Sequence, residues 1–268
     1  MSTGKRRIII NGCAFLCMVV VNILAETLPI GGATTGEISA VYPSPLTPAP
    51  YAFSIWGAIY VFLMVFLVMG FFSDDMREAS EQLGLLFVLS CAANIGLILT
   101  WHFRLMTFSL LMMAVLLLIL AMIEARLRPL NHTARERWLI RAPFGLYYGW
   151  ITAAAIANVS VWLMSLGFTG FGLPSVLWQT LVLLIGGFIL SMGIRINRDS
   201  FYGIAAFWAY IGIMVRQLTD QVTAISGIFP LLAIIISCAA FAFFIVMSYL
   251  FPENRLPASI RCCSTVHK

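Results

Sequence analysis

Charge is what this chain has least of. Aspartate, glutamate, lysine and arginine make up 10% of its 268 residues, against about 25% in an ordinary soluble domain. Hydrophobic residues make up 61%, which excludes a soluble globular fold, because too little polar surface remains to cover such a core. Histidine is scarce, at three residues, and the six cysteines show neither metal-ligand spacing nor a disulfide framework. Cys13, Cys17, Cys91 and Cys238 fall in apolar stretches and are expected to act as small packing residues. Cys262-Cys263 sit in the basic tail, as free thiols or as palmitoylation sites. No segment carries paired catalytic carboxylates, a nucleophile with its base, or a metal cluster, so the residues argue against an enzyme.

What the chain has instead is long apolar runs. Eight are read along it, at Ile8–Leu24, Ala52–Phe72, Gly84–Trp101, Met106–Ile123, Ala142–Leu166, Leu177–Ile194, Phe201–Leu218 and Ala224–Leu250. The expected fold is all-α, a polytopic transmembrane helix bundle of about eight spans. The cationic residues support that count. With eight spans, fourteen of the sixteen lysines and arginines fall on one side, and only Arg104 and Arg216 fall on the other. By the positive-inside rule both termini face the cytoplasm. The net charge of +5 is thus a consequence of topology, and no nucleic-acid partner is expected. Lys5-Arg6-Arg7 before an apolar run also has the form of a signal peptide. Asn11 and Asn22 interrupt that run and no small-x-small cleavage site follows, so the first span is expected to stay. The expected location is the plasma or cytoplasmic membrane, with membrane lipids as partners.

The most patterned span is the fifth. At 100° per residue, Tyr147, Trp150, Ala154, Asn158 and Trp162 share one helix face, and Gly149, Ala153 and Ala157 form a small-residue stripe beside it. Such a stripe lets a neighbouring helix approach closely in lipid. Span two opens with Tyr51, Phe53, Trp56 and Tyr60, and span three carries Asn94 and Trp101. Tryptophans at helix ends are the interfacial belt of any membrane protein. Two asparagines at membrane depth are costly without partners, however, and an inward-facing aromatic pocket accounts for them. The outer loop before Tyr51 holds Gly31-Gly32 and Pro43, Pro45, Pro48 and Pro50. It reads either as a tolerated insertion or as a lid. Elsewhere the readings are structural. Ser73–Leu83 is expected to be an acidic, solvated loop, His102 an interfacial residue, and Arg126–Arg141 a basic loop at the headgroups. Glu124 with Arg128, and Arg216 with Asp220, stand at ion-pair spacing.

These motifs resemble the tryptophan-rich sensory protein/translocator protein family, TspO/MBR. Its fifth helix reads P-Y-x-x-W with L-N-x-x-x-W further on, and here Tyr147, Trp150, Asn158 and Trp162 keep those spacings, with Leu146 where the family has proline. Its second helix reads P-P-x-W-x-F-x-x-x-W-x-x-x-Y. Pro48 or Pro50, Tyr51, Phe53, Trp56 and Tyr60 fill those roles, with Tyr51 in place of tryptophan and one residue fewer between Phe53 and Trp56. In the L-N-x-x-W motif of the third helix Asn94 is present and Leu97 stands for the tryptophan. The resemblance divides the chain into a five-helix membrane domain, residues 1–166, and a three-helix extension with a basic tail, residues 167–268. It implies binding of a hydrophobic planar ligand, a porphyrin or haem-like tetrapyrrole or a sterol, for sensing or transport. The residues it points to are Tyr51, Trp56, Tyr60, Asn94, Trp101, Tyr147, Trp150, Asn158 and Trp162. No cofactor is required, and a homodimer is compatible with it. The alternatives are a secondary transporter using the C-terminal helices and a membrane enzyme acting on a lipophilic substrate.

Overall fold

The computed structural model describes residues 3–28, 30–42, 44–128, 134–219 and 228–250. Ten α-helices are present among them: α1 (Thr3–Thr27), α2 (Thr35–Val41), α3 (Ile55–Met69), α4 (Asp74–Leu83), α5 (Leu86–His102), α6 (Met106–Leu127), α7 (Ala134–Ser165), α8 (Ser175–Asn197), α9 (Ser200–Thr219) and α10 (Ile228–Leu250). The described residues contain no strand, as lipid requires of a bundle whose backbone groups must all be satisfied within each segment. Seven helices are long and apolar enough to cross a membrane, and the bent pair α4–α5 makes an eighth if it is one span. Within that pair α5 is the apolar arm. Its 17 residues rise about 25 Å, while α4 carries Asp74, Asp75, Arg77, Glu78 and Glu81.

The acidic segment is therefore a helix and not a solvated loop. Met76, Ala79, Ser80 and Leu83 form a buried face, and the charges line the other side. Gly84, with φ 55°, makes the 63° bend into α5, a backbone state that favours glycine. The basic loop is also shorter than expected. The helix α6 runs to Leu127 and α7 begins at Ala134, so Trp138 lies on α7, 60% exposed, edge-on to Phe201 at 4.8 Å. Cys91 is buried as a packing residue, whereas Cys13 and Cys17 lie on the exposed side of α1 and pack little. The Arg216–Asp220 pair and Cys262-Cys263 involve positions outside the described residues.

The bundle is held by close contacts at small residues. A Cβ on Gly149 would lie 2.4 Å from the Tyr202 carbonyl oxygen and 3.0 Å from the Ala205 Cβ. The small-residue stripe of α7 is thus the seat of α9. The main hydrophobic core joins α3, α5, α6 and α7 with Ala205 and Ala209 of α9. A second core, centred on α8, α9 and α10, reaches Tyr148, Ala153 and Ile156 of α7. Eight crossings would put the start of α1 and the end of α10 on one face. Reporter fusions at the N-terminus, in the 128–133 segment and at the C-terminus are expected to read as cytoplasmic. An extracytoplasmic C-terminus would refute the even count.

Candidate functional site

The outer loop is folded down onto the bundle. After a 3₁₀ turn at Ile30–Gly32 comes α2, which opens on a capping box: Glu37 N–H donates to Thr34 Oγ1 (3.3 Å), and Thr34 N–H donates to Glu37 Oε2 (2.8 Å). Those bonds from Thr34, first its backbone N–H and then its hydroxyl, hold the exposed Glu37 carboxyl below its ordinary range. Gly31, at φ 77°, packs so closely under α5 that a Cβ would sit 2.3 Å from the His102 carbonyl oxygen. The far end of the loop is tied to α9. Ala49 N–H donates to Gly212 O (3.0 Å), and Trp208 Nε1 donates to Ala52 O (2.9 Å). His102, the last residue of α5, is buried beneath this loop, its Nδ1 2.9 Å from Ile98 O.

Beneath the loop lies a cavity of about 100 Å³, room for a group the size of one aromatic ring. Thr35, Ser39, Leu46, Thr47 and Pro48 roof it. Phe53 comes from the turn ahead of α3 and Trp56 from its start, Leu97, Ile98 and Trp101 from α5, and Met113 from α6. The α7 wall is Trp150, Ile151, Ala153, Ala154, Ile156, Ala157, Asn158 and Val161, and Leu190, Ala209, Tyr210 and Ile213 close the far side. Phe53 meets Trp150 edge to face, centroids 5.9 Å apart, a preferred aromatic geometry. Within this apolar wall Asn158 donates from Nδ2 to Ser109 Oγ (3.0 Å), and its Oδ1 is buried without a partner. A buried orphan acceptor costs about 1–3 kcal/mol. A ligand N–H or O–H would recover it.

Four of the nine expected residues line this cavity: Trp56, Trp101, Trp150 and Asn158. The others do not, each for a local reason. Tyr51 is 42% exposed and edge-on to Trp208 at 5.6 Å. The five residues Pro50–Ser54 form a 3₁₀ turn ahead of α3, whose tighter winding re-phases the missing residue of the motif and turns Phe53 inward instead. Tyr60 lies a turn deeper, stacked on Trp56 at 5.5 Å. Asn94 is satisfied within the bundle, accepting from Asn22 Nδ2 (2.8 Å) and donating to the Tyr147 hydroxyl (3.0 Å). Tyr147 is spent on that bond and on the edge of Trp56. Trp162 donates to Thr107 Oγ1 at the outer end of α6 (3.1 Å). The two hydroxyls of α6, Thr107 and Ser109, thus serve α7. Sequence reasoning found no role for the contributors from α8 and α9, because their apolar residues look like any other span.

A family comparison places this arrangement. The family model described as TSPO-like protein matches residues 8–250, which takes in all the candidate crossings. The chain belongs to the TSPO-like protein family. The match runs through the last three helices as well as the aromatic ones, so this TSPO-like protein is a multi-pass integral membrane protein along its described length. No curated protein and no solved structure gave a significant match.

Proposed function

We propose that this TSPO-like protein binds a hydrophobic, planar ligand in the cavity under the outer loop, for sensing or transport. The observation that carries the reading is the wall itself. Phe53, Trp56 and Trp150 supply aromatic faces, and Asn158 Oδ1 is the one buried polar atom of the lining without a partner. Small-molecule sites have this composition, mostly apolar with a few oriented polar groups. A ligand would lay one ring between the aromatics and direct a donor at Asn158. Tetrapyrroles, the leading class by family, and sterols both exceed the enclosed space of about 100 Å³. For either to enter fully the roof over the cavity must shift, which breaks the contacts at both ends of the loop and those of Thr35, Ile38 and Leu46 in its middle.

The test is a titration of the purified full-length protein in lipid nanodiscs, with protoporphyrin and with a fluorescent sterol, read by tryptophan quenching. Saturable quenching that competes with a small aromatic donor such as indole is expected. The Asn158→Leu variant should shift preference away from the N–H donor with little loss of stability, since it removes a polar group without opening a void. Non-saturable quenching that indole leaves unchanged would mean partition into lipid and would end this reading.

A further inference from the structure

The structure buries a cluster of charge at the opposite end of α7 from the cavity. Arg141 lies nine positions before Trp150, where the cavity wall of α7 begins, a rise of about 14 Å, so the cluster is a separate place. Asp199 stands in the turn between α8 and α9, 3% exposed. Its Oδ1 caps α9, accepting from Phe201 N–H (2.7 Å) and Tyr202 N–H (3.3 Å). Its Oδ2 faces Arg141 Nε at 3.7 Å, beyond hydrogen-bond reach, and neither atom has a hydrogen-bond partner. The carboxylate lies flat on α7, where a Cβ on Gly145 would meet Oδ2 at 2.8 Å. Glu124 of α6 completes the group, 6% exposed, with Oε1 also unpartnered. Burial thus leaves three polar atoms, on three elements, without hydrogen-bond partners.

Among the described residues the groups around them are few. Arg128, on the same helix as Glu124, donates to the Ile196 carbonyl at the end of α8. The helix α7 contributes Arg141 and Tyr148, and α9 contributes Tyr202, whose ring packs on Tyr148 at 5.2 Å. Arg126 turns away to the Gln82 carbonyl at the end of α4 (3.2 Å). Two carboxylates therefore share two guanidiniums, and one guanidinium is partly engaged elsewhere. Buried like charges cannot both ionise freely.

We infer that Glu124 and Asp199, with Arg141 between α6 and the α8–α9 turn, form a proton-binding site that opens toward the arginine-rich face. One proton from solution adds to a carboxylate oxygen of the pair, giving one neutral carboxyl. Arg141 keeps its charge against the remaining carboxylate. The proton belongs to the pair, not to either residue alone. Burial holds the Asp199 carboxyl above its ordinary range, against the opposing pull of Arg141. The sign follows. A group raised in the folded state contributes stability that is complete below the ordinary carboxylate range and is lost as pH rises through the raised value. Such a site joins the last three spans to the first five and supplies a buried, titratable charge of the kind that marks proton pathways in membranes.

The test is infrared difference spectroscopy of the full-length protein in nanodiscs, following the carboxylic-acid C=O band with pH. In the wild type one carboxyl is expected to stay protonated well above the ordinary range of about 4. The band should be lost in the Glu124→Gln/Asp199→Asn double variant. Asparagine can still cap α9, so that half of the design favours folding. If the double variant does not fold, Glu124→Gln alone must move the midpoint of the band. Arg141→Gln must raise it by about one unit or more, because the cation that favours the ionised form is gone. A wild-type spectrum without the band would overturn the inference. So would a band that persists unmoved in these variants.

Discussion

Replacing Gly149 by alanine is expected to lower the melting temperature of the purified protein sharply, or to abolish its accumulation in the membrane. The added Cβ would stand 2.4 Å from the Tyr202 carbonyl oxygen and 2.9 Å from the Tyr202 Cα. Both are backbone atoms, so no rotamer change relieves the clash, and α9 has to move off α7. Forcing a methyl group into a packed interior costs about 1–3 kcal/mol, and here the displaced element also carries Tyr210 and Ile213 of the cavity wall. Gly57 is the control. A Cβ there meets nothing within 4 Å, so Gly57→Ala is expected to be neutral or to stabilise by up to about 1 kcal/mol through helix propensity. Equal melting of the two variants would show that α7 and α9 are not in such close contact.

Trp150→Ala is expected to weaken binding of protoporphyrin by about ten-fold or more, a loss of about 1.4 kcal/mol or greater. Stacking on an aromatic contributes about 0.5–1.5 kcal/mol beyond area burial, and the indole also takes most of the apolar wall with it. Trp150 is 3% exposed, so the variant carries a stability cost as well, about 3–5 kcal/mol if the site does not collapse. Trp150→Phe separates the two effects. It keeps a ring against Phe53 and most of the volume, so it should melt near the wild type and bind with an intermediate affinity. Trp138, on the exposed side of α7 near the other face, is the control and should tolerate alanine. If Trp138→Ala and Trp150→Ala reduce quenching affinity equally, both tryptophans are belt residues and the cavity is not the site.

The sequence by itself located the apolar helices and the membrane as their solvent, and its cations set the expected direction of crossing. Those depend on apolar transfer along one segment and on counting cations between segments, and both are local sums. It also placed Trp56, Trp101, Trp150 and Asn158, because helical phase is local too. What the tertiary structure alone decided is which helices are neighbours. In lipid, apolar residues do not distinguish a helix partner from an acyl chain, so hydropathy says nothing about pairing. Asn94 looked available until Asn22, 72 residues away, was found holding it. Phe53 was turned inward by a 3₁₀ turn that the motif spacing hinted at but did not orient. Tyr210 and Ile213 reached the cavity only because α9 lies against the small-residue stripe of α7. Glu124 reads in the sequence as an ion-pair partner of Arg128, and only the packing of α6, α7 and the α8–α9 turn buries it and Asp199 alike. Burial and partnership are properties of a three-dimensional neighbourhood, and no one-dimensional period encodes them.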